Sequence, residues 1–272
     1  MPFRVEPDPS FKDALAAADR PLAGIWVCSG SPLIAELCAG AGFDWIFIDA
    51  EHSPNGLESV LAQLQAVRGY PGIPVVRPAV NDTVLIKQYL DLGAQTLIIP
   101  MVHTAEQARA AVAATRYPPA GVRGVGSALA RSARWNRIPD YLTRAEETLT
   151  LIVQIESAEA VENAAEIAAV DGVDGVFIGP SDLAASMGVI GQQEHPEVVA
   201  GVEKALKAAK AAGKFVGVNA FAEASARRYM EWGADFVGVG ADVALLARGS
   251  EALAAKYLPA DGDGAAGTPA SY

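Results

Sequence analysis

The chain has 272 residues, of which 51% are hydrophobic and 19% are charged, and its formal net charge at pH 7 is −11. This composition excludes disorder over most of the length and provides enough apolar surface for one folded core. The acidic balance argues against a nucleic-acid-binding protein, which normally needs a basic surface for phosphates, although a local arginine pocket can still bind a small anion.

Hydropathy near the N-terminus and the cysteine content predict a cytoplasmic protein. Glu6, Asp8 and Asp13 lie where a secretory signal peptide would need an uninterrupted apolar core. No apolar run approaches the roughly 20 residues of a membrane span. Cys28 and Cys38 are the only cysteines, and we expect both to be reduced core residues rather than metal ligands.

Short apolar runs alternate with amphipathic segments from the start of the chain. A leading helix is predicted over 10–20 and a first strand over 23–28. Ser31 and Pro32 then open a helix, since serine caps the end and proline tolerates the first helical position. The strand 45–49 precedes a helix whose apolar residues have helical spacing, namely Leu57, Val60, Leu61, Leu64 and Val67.

The alternation continues to the end of the chain. A strand over 75–77, a helix over 82–92 and a strand over 96–99 lead to a helix from Thr104, where Gln107 completes a capping box. The remaining predicted strands cover 151–156, 176–179, 215–218 and 236–240. The remaining predicted helices cover 158–168, 196–212, 223–232 and 242–257.

A glycine precedes four of the apolar strands. Gly42, Gly93, Gly175 and Gly233 each lie just before such a strand, and all but Gly175 follow a helical run as its C-terminal glycine. This repeated cassette supports a regular alternation of helix and strand.

About eight strands alternating with helices predict a single (β/α)₈ TIM barrel over residues 1–258. A doubly wound sheet would usually carry a glycine-rich phosphate turn after an early strand, and residues 28–31 contain only one glycine. Residues 259–272 are rich in Ala, Gly, Asp and Pro, and we expect them to form a disordered C-terminal tail.

One segment, residues 116–144, interrupts the alternation. It has no clear strand and contains six arginines: Arg116, Arg123, Arg131, Arg134, Arg137 and Arg144. Loops of this length in compact domains are usually functional or interfacial. Two interpretations remain open, a solvated basic loop, and a lid or subunit contact that draws in an anionic substrate.

Acidic residues close two neighbouring strands, at the end of the barrel where active sites lie. Gln154 and Glu156 end the fifth strand, and Ser181 and Asp182 follow the sixth. Two carboxylates at adjacent strand ends indicate a hard divalent cation such as Mg²⁺ or Mn²⁺, with water and substrate oxygens as the other ligands. The alternative is that Glu156 and Asp182 only cap the helices that follow.

Other strand ends add an acid–base set. Asp49, Glu51 and His52 follow the second strand, Arg77 ends the third, and Asn219 ends the seventh. His52 faces the two acids from a loop and is a candidate for proton transfer. A guanidinium in a closed cavity is costly without an anion, so we expect Arg77 to contact substrate oxygen as well as Asp49 or Glu51.

No lysine is placed for Schiff-base chemistry, which needs an amine inside the barrel. All lysines lie on helical or peripheral segments: Lys12, Lys87, Lys204, Lys207, Lys210, Lys214 and Lys256. Carbanion chemistry here would therefore need a metal ion as the Lewis acid.

Several stretches of sequence occur together in this chain. They are Asp49-Ala50-Glu51-His52-Ser53, Arg77-Pro78, the runs 123–131 and 134–141, Gln154-Ile155-Glu156, and Gly179-Pro180-Ser181-Asp182. Their combination resembles the metal-dependent (class II) pyruvate aldolases of the HpcH/HpaI type, and the resemblance extends from about residue 11 to residue 257.

The resemblance implies a carbon–carbon lyase that reversibly cleaves 4-hydroxy-2-oxo acids, such as 4-hydroxy-2-oxoheptanedioate, through a metal-stabilised pyruvate enolate. The products would be pyruvate and an aldehyde, either succinate semialdehyde or a hydroxylated aldehyde. Glu156 and Asp182 would bind the divalent ion, which would be Mg²⁺, Mn²⁺ or Co²⁺. The alternative is a related lyase acting on malyl or citramalyl thioesters or on a phosphoenolpyruvate-like substrate, although a short chain argues against a large coenzyme A site.

The resemblance also implies roles for residues around the metal. His52, oriented by Asp49, would move the proton on the substrate hydroxyl, and Arg77 would stabilise the enolate. Gln154 would contact the substrate. Proton transfer of this kind typically contributes about 10² to 10⁴ in rate.

Two further implications concern the substrate ends and the assembly. The backbone around Ser181 and Asp182 would hold the substrate carboxylate. Asn219 stands where we expect an aliphatic residue in relatives, so its polar group favours hydroxylated aldehydes. The family resemblance also implies a homohexamer in which the last helix, 242–257, packs on a neighbouring subunit, with the arginine-rich segment near a shared active-site mouth.

Overall fold

The structure is a computed structural model that describes residues 3–126 and 128–258. The predicted tail over 259–272 lies outside the described residues. The strands are β1 (Leu22–Val27), β2 (Trp45–Asp49), β3 (Ile73–Arg77), β4 (Thr96–Ile99), β5 (Thr150–Ile155), β6 (Gly175–Ile178), β7 (Phe215–Asn219) and β8 (Phe236–Ala241).

Helices connect these strands and also precede and follow them. They are α1 (Phe11–Ala17), α2 (Pro32–Ala39), α3 (Leu57–Ala66), α4 (Thr83–Asp91), α5 (Ala105–Thr115), α6 (Tyr141–Thr148), α7 (Ala158–Glu162), α8 (Ala164–Ala168), α9 (Pro180–Ser186), α10 (Pro196–Ala211), α11 (Glu223–Glu231) and α12 (Asp242–Ala254), with a 3₁₀ turn at Val67–Gly69. Within the described ranges, none of these helices has the length and apolar character to cross a lipid bilayer.

The eight strands are all parallel and close into a barrel in chain order, with β8 paired to β1. The predicted (β/α)₈ barrel is therefore confirmed. Successive side chains of a strand point to opposite faces, which explains the division of the core. In β2, Trp45 and Phe47 point into the barrel, and Ile46 and Ile48 point out towards the helices.

Bulky side chains fill the barrel interior. The inward residues of the strands include Trp26, Trp45, Phe47, Val75, Ile98, Ile152, Phe177 and Phe236. A Cβ at Gly24 would lie 2.1 Å from Cε2 of Trp45, so only glycine fits beside that ring. Phe11 of α1 packs edge-to-face on Phe236 with ring centroids 5.3 Å apart. Helix α1 therefore closes the N-terminal end of the barrel.

The glycine cassette is present, with one correction. Gly42, Gly93 and Gly233 have φ values of 92°, 92° and 100°, each three residues before an even-numbered strand. The third member is Gly172, with φ of 93°, and the prediction of Gly175 was wrong because Gly175 is the first residue of β6. The left-handed conformation ends the preceding helix and turns the chain into the strand.

An aspartate two residues after three of these glycines joins neighbouring strands. Asp44, Asp174 and Asp235 each precede an even-numbered strand, and each carboxylate accepts a hydrogen bond from a backbone N–H of the preceding odd-numbered strand. The donors are Ala23, Leu151 and Val216, at 2.8, 2.8 and 2.7 Å. These bonds satisfy amides at the N-terminal ends of the strands.

Some predicted helices differ from the observed ones. The predicted helix 158–168 is two short helices with a break at Asn163, whose φ and ψ of −88° and 3° are not helical. Helix α6, which was not predicted, begins at the end of the arginine-rich segment and extends beyond it to Thr148. The last helix ends at Ala254 rather than near 257.

The arginine-rich segment 116–144 is not uniformly solvated. Arg123 is 0% exposed and lies 3.2 Å from Asp91, with its guanidinium carbon 4.6 Å from the ring centre of Tyr117. Arg134 is also buried. The interpretation as a solvated basic loop is therefore wrong for these two arginines. Of the described residues that line the cavity at the C-terminal end of the barrel, none is one of these six arginines.

Candidate active site

A cavity of about 560 Å³ opens at the C-terminal end of the barrel. Its wall brings together seven of the eight site residues predicted from sequence: Asp49, His52, Arg77, Gln154, Ser181, Asp182 and Asn219. The eighth, Glu156, is buried directly behind Gln154, which donates a hydrogen bond to its carboxylate. Strand alternation explains the convergence, because Asp49, Arg77 and Gln154 each follow an inward-facing core residue by two positions.

Arg77 lies at the centre of the buried charges. Its Nε donates to Asp49 Oδ1 at 2.8 Å, and its Nη1 lies 2.8 Å from Glu51 Oε2, although that second contact lacks hydrogen-bond geometry. The guanidinium carbon lies 4.5 Å from the ring centre of Trp26. Burial lowers the pKa of Arg77, but the Asp49 bond and the nearby carboxylates outweigh it and raise the pKa above its usual value. Arg77 is therefore a fixed cation with defined orientation.

Gln154 links Arg77 to Glu156. Its Oε1 lies 3.4 Å from Arg77 Nη1, and its amide nitrogen donates to Glu156 Oε2. The other oxygen of Glu156 accepts from the backbone N–H of Met101 at 2.8 Å. Met101 has a φ of 54°, which is strained for a non-glycine residue and aims its amide at the carboxylate.

Asp49 acts on the loop that carries His52 rather than on the imidazole. Its carboxylate accepts from the backbone N–H of Glu51 at 3.0 Å and of His52 at 3.3 Å. The His52 side chain is 64% exposed, and its Nε2 lies 3.8 Å from Glu51 Oε2. Asp49 therefore positions the backbone of His52. Among the described residues, it makes no hydrogen bond to the imidazole ring that it was predicted to orient.

The cavity has more negative than positive charge. Asp49, Glu51 and Glu156 all act on Arg77, the one arginine among the described residues that line this cavity, and Asp182 repels Glu51 and Glu156. Burial raises the pKa of Glu156 to about 8. Repulsion from Asp182 and Glu51 acts in the same direction, whereas the hydrogen bond from the Met101 amide lowers the pKa. Burial also raises the pKa of Glu51. An additional cation would relieve this repulsion.

The donor set fits a divalent ion that is completed by other oxygens. Glu156 and Asp182 supply carboxylate oxygens, which Mg²⁺ and Mn²⁺ prefer. Within the described residues, no group of three or more His, Cys, Asp or Glu side chains has the spacing of a metal site. A Cβ at position 179 would lie 2.8 Å from Glu156 Oε2, so only glycine fits beside that carboxylate.

Ser181 and Asp182 lie in the first turn of α9, with Pro180 at its first position. Backbone N–H groups of a first turn have no partner within the helix. The Ser181 hydroxyl accepts a hydrogen bond from Gln193 Nε2 at 2.6 Å, and both residues line the cavity. This turn can therefore hold an anionic group of a ligand.

Two buried polar side-chain atoms beside the cavity have no hydrogen-bond partner among the described residues. They are Asn219 Oδ1 and Trp26 Nε1. A Cβ at Gly238 would lie 3.2 Å from the first and 2.7 Å from the second, which places both atoms beside the same glycine. One accepts and the other donates, so together they can bind a hydroxyl group.

The two cysteines are free and half-buried. Burial raises the pKa of Cys28 to about 12 and that of Cys38 to about 11. Neither thiol is activated for nucleophilic or metal chemistry at neutral pH.

Several residues of the site were not identified from sequence as site residues. Trp26 stacks on Arg77, Met101 binds Glu156, and Gln193 binds Ser181. Asp242 was noted only as a helix start, yet its carboxylate accepts from the backbone N–H groups of Cys28 and Ser29 and fixes α12 to the end of β1. Only the inward position of Trp26 in its strand could have been found from the sequence pattern.

Comparisons with known proteins identify the family of the chain. A sequence model of the family described as HpcH/HpaI aldolase/citrate lyase matches residues 22–249. A relative from Salmonella dublin named 4-hydroxy-2-oxo-heptane-1,7-dioate aldolase is 60% identical over 248 residues, covering 91% of this chain and 94% of the relative.

Solved structures are similar over nearly the whole chain. A crystal structure of an HpcH/HpaI aldolase/citrate lyase family protein from Burkholderia cenocepacia has a TM-score of 0.86 and 41% identity, and covers 90% of this chain and 97% of its own. An HpcH/HpaI aldolase from Desulfitobacterium hafniense has a TM-score of 0.82 and 30% identity, with coverages of 93% and 98%. The chain therefore belongs to the HpcH/HpaI aldolase/citrate lyase family.

Proposed function

We propose that this protein is a class II pyruvate aldolase that cleaves 4-hydroxy-2-oxo acids, including 4-hydroxy-2-oxoheptanedioate, to pyruvate and an aldehyde. The observation that carries the proposal is the set of buried carboxylates around Arg77 at the C-terminal end of the barrel. The site offers one fixed cation for a developing oxyanion and two acids, Glu156 and Asp182, for a divalent ion. The name of the 60% identical relative supports the substrate class.

Glu156 and Asp182 would hold the divalent ion, and the roles of the residues are the same for Mg²⁺, Mn²⁺ and Co²⁺. When bound, such an ion supplies Lewis-acid stabilisation of negative charge on a carbonyl oxygen, worth several kcal/mol. Gln154 fixes the orientation of the Glu156 carboxylate through its amide hydrogen bond.

The residues of the chain divide the cleavage between them. The backbone N–H groups of Ser181 and Asp182 hold the substrate carboxylate. His52 removes the proton from the C4 hydroxyl as the bond between C3 and C4 breaks and the aldehyde leaves. The electron pair of that bond moves into the enolate of pyruvate, whose oxygen faces the Arg77 guanidinium.

Asn219 and Trp26 give the aldehyde part of the pocket a polar character. A hydroxyl on the aldehyde can donate to Asn219 Oδ1 and accept from Trp26 Nε1, two buried atoms that have no hydrogen-bond partner in the described part of the chain. Unpaired buried polar atoms penalise a ligand that cannot bind them. The proposed aldehyde products therefore include hydroxylated aldehydes, beside succinate semialdehyde.

The proposed assembly is a homohexamer in which α12 packs on another copy of the chain. Only Asp242 of this helix is buried, whereas Leu245 and Leu246 are 62% and 67% exposed. Leu33 and Leu37 of α2 also expose their side chains to solvent. An amphipathic helix that buries almost nothing in its own chain needs a partner surface.

Pyruvate release from 4-hydroxy-2-oxoheptanedioate, followed with lactate dehydrogenase in the presence of Mn²⁺, tests the reaction. We expect turnover by the wild-type protein and a loss of about 10² to 10³ in kcat for Arg77→Lys, since lysine cannot hold the oxyanion and both carboxylates with one planar group. Arg227→Lys, at the exposed surface of α11, is the matched control. Equal rates for Arg77→Lys and the wild type would contradict the assigned role.

A further inference from the structure

A second cavity lies at the opposite end of the barrel. It has a volume of about 380 Å³ and is lined by Ile73 and Pro74 at the start of β3, by Gln95 just before β4, and by residues of the 3₁₀ turn and the arginine-rich segment. The candidate active site lies at the other ends of the same strands, roughly 15 Å away for a five-residue strand. The two cavities share no lining residue.

Three arginines and one carboxylate line this second cavity. Arg68, Arg131 and Arg134 face it together with Asp8. Asp8 Oδ2 lies 3.3 Å from Arg134 Nη2 and 3.7 Å from Arg68 Nε, so the single carboxylate is shared by two cations. Arg131 donates from Nη1 to the Leu92 carbonyl at 2.7 Å and has no ion pair among the described residues.

The excess positive charge is poorly compensated. Burial lowers the pKa of Arg131 to about 10, and repulsion from Arg134 and Arg68 contributes in the same direction. Burial and Arg68 also lower the pKa of Arg134, against the attraction of Asp8. A guanidinium whose charged form is disfavoured in this way gains from any anion that enters. The charge of this cavity is therefore positive, although the net charge of the whole chain is −11.

The backbone holds these guanidinium groups in place. Arg134 donates from Nη1 to the Arg131 carbonyl at 3.4 Å. Arg134, Trp135 and Asn136 have φ values of 48°, 54° and 61°, three consecutive left-handed residues that form a tight turn. The amide of Ser132 donates to the Asp91 carbonyl at 3.1 Å and ties the segment to α4. A preorganised set of donors loses little freedom when it binds an anion.

We propose that this arginine cavity binds a compact dianion, as a site separate from the active site. The planar donor faces of Arg68, Arg131 and Arg134 suit the paired oxygens of a phosphoryl or carboxylate group. The volume is in the range of small-ligand pockets. The dianion can be a phosphate or a short dicarboxylate, and these two sources share the same recognition chemistry.

Calorimetric titration of the full-length chain with inorganic phosphate, and separately with succinate, tests the site. We expect saturable binding of at least one of the two anions by the wild-type protein. The affinity should fall at least tenfold in Arg131→Gln and in Arg68→Gln. Arg68 is partly exposed at the cavity edge, so its variant remains informative if Arg131→Gln does not fold.

Two further variants separate this site from other anion binding. Arg227→Gln, on the exposed face of α11, controls for general loss of positive charge and should bind as the wild type does. Arg77→Met removes the cation of the active site and should also retain binding. Binding lost in Arg77→Met but kept in Arg131→Gln would place the anion in the active site and overturn the proposal. Absence of saturable binding of both anions by the wild type would overturn it as well.

Discussion

At the scale of single residues, the site depends on the sharing of one cation by several acids. Arg77 contacts Asp49 and Glu51 at 2.8 Å each and reaches Glu156 through Gln154. Removing one partner of such a buried group leaves an uncompensated charge, which is costly. Replacement of Asp49 or Glu51, which contact Arg77 directly, is therefore expected to destabilise the protein even when the shape is preserved.

Replacement of Asn219 by leucine tests the aldehyde pocket. In the condensation direction with pyruvate, we expect kcat/KM for glycolaldehyde to fall by about 10-fold to 100-fold, because the loss of one buried hydrogen bond costs about 1–3 kcal/mol. Propionaldehyde, which has a methyl group in place of the hydroxyl, should be used as well as before or better. An unchanged ratio of the two kcat/KM values would contradict the role of Asn219.

The sequence predicts which residues converge better than it predicts how they are held. Asp49, Arg77, Gln154 and Asn219 follow inward positions of their strands, so period-two alternation is sufficient to group them. The contact of the Met101 amide with Glu156 depends on a loop with a φ of 54°, and no periodicity encodes that conformation.

At the scale of secondary structure elements, a repeated Gly-x-Asp turn connects neighbouring strands at the N-terminal end of the barrel. Asp44, Asp174 and Asp235 each bind a backbone N–H of the neighbouring strand, and a basic residue pairs with each carboxylate. These residues are Arg20, Lys12 and Lys210. The repeat explains why the alternation of elements was clear in the sequence.

Asp235→Ala tests this turn. We expect the free energy of unfolding to fall by about 1–3 kcal/mol, because the N–H of Val216 at the start of β7 loses its acceptor. Lys210→Met removes only the ion pair, which is partly exposed, and should cost less than about 1 kcal/mol. Urea unfolding at one protein concentration measures both values. Equal losses in the two variants would assign the effect to charge rather than to the backbone bond.

Other elements could not be predicted, for local reasons. The equivalent glycine before β6 is Gly172, and it was missed because Gly175 is closer to the apolar run of that strand. Helix α6 has only eight residues, and its N-cap residue, Asp140, is left-handed and makes no side-chain capping hydrogen bond.

At the scale of the whole molecule, the chain is a closed barrel that leaves most of its last helix exposed, since Asp242 is the only buried residue of α12. We expect light scattering to find the wild-type protein as an oligomer larger than a dimer. The double variant Leu245→Glu and Leu246→Glu should shift it to smaller species, because charge on an apolar interface is costly. Val84→Glu, at a 53% exposed apolar position on α4, is the control and should leave the mass unchanged. A monomeric wild-type protein would contradict the proposed exchange of α12.

The assignment of Glu156 and Asp182 as ligands of a divalent ion is tested most directly by pyruvate release from 4-hydroxy-2-oxoheptanedioate with chelator-treated protein, before and after addition of Mg²⁺, Mn²⁺ or Co²⁺. For the wild-type protein, we predict no release without metal and full recovery on addition. Glu156→Gln and Asp182→Asn should remain folded by circular dichroism and should not recover. Release that persists after chelation, or full metal-restored activity in both variants, would contradict the assignment.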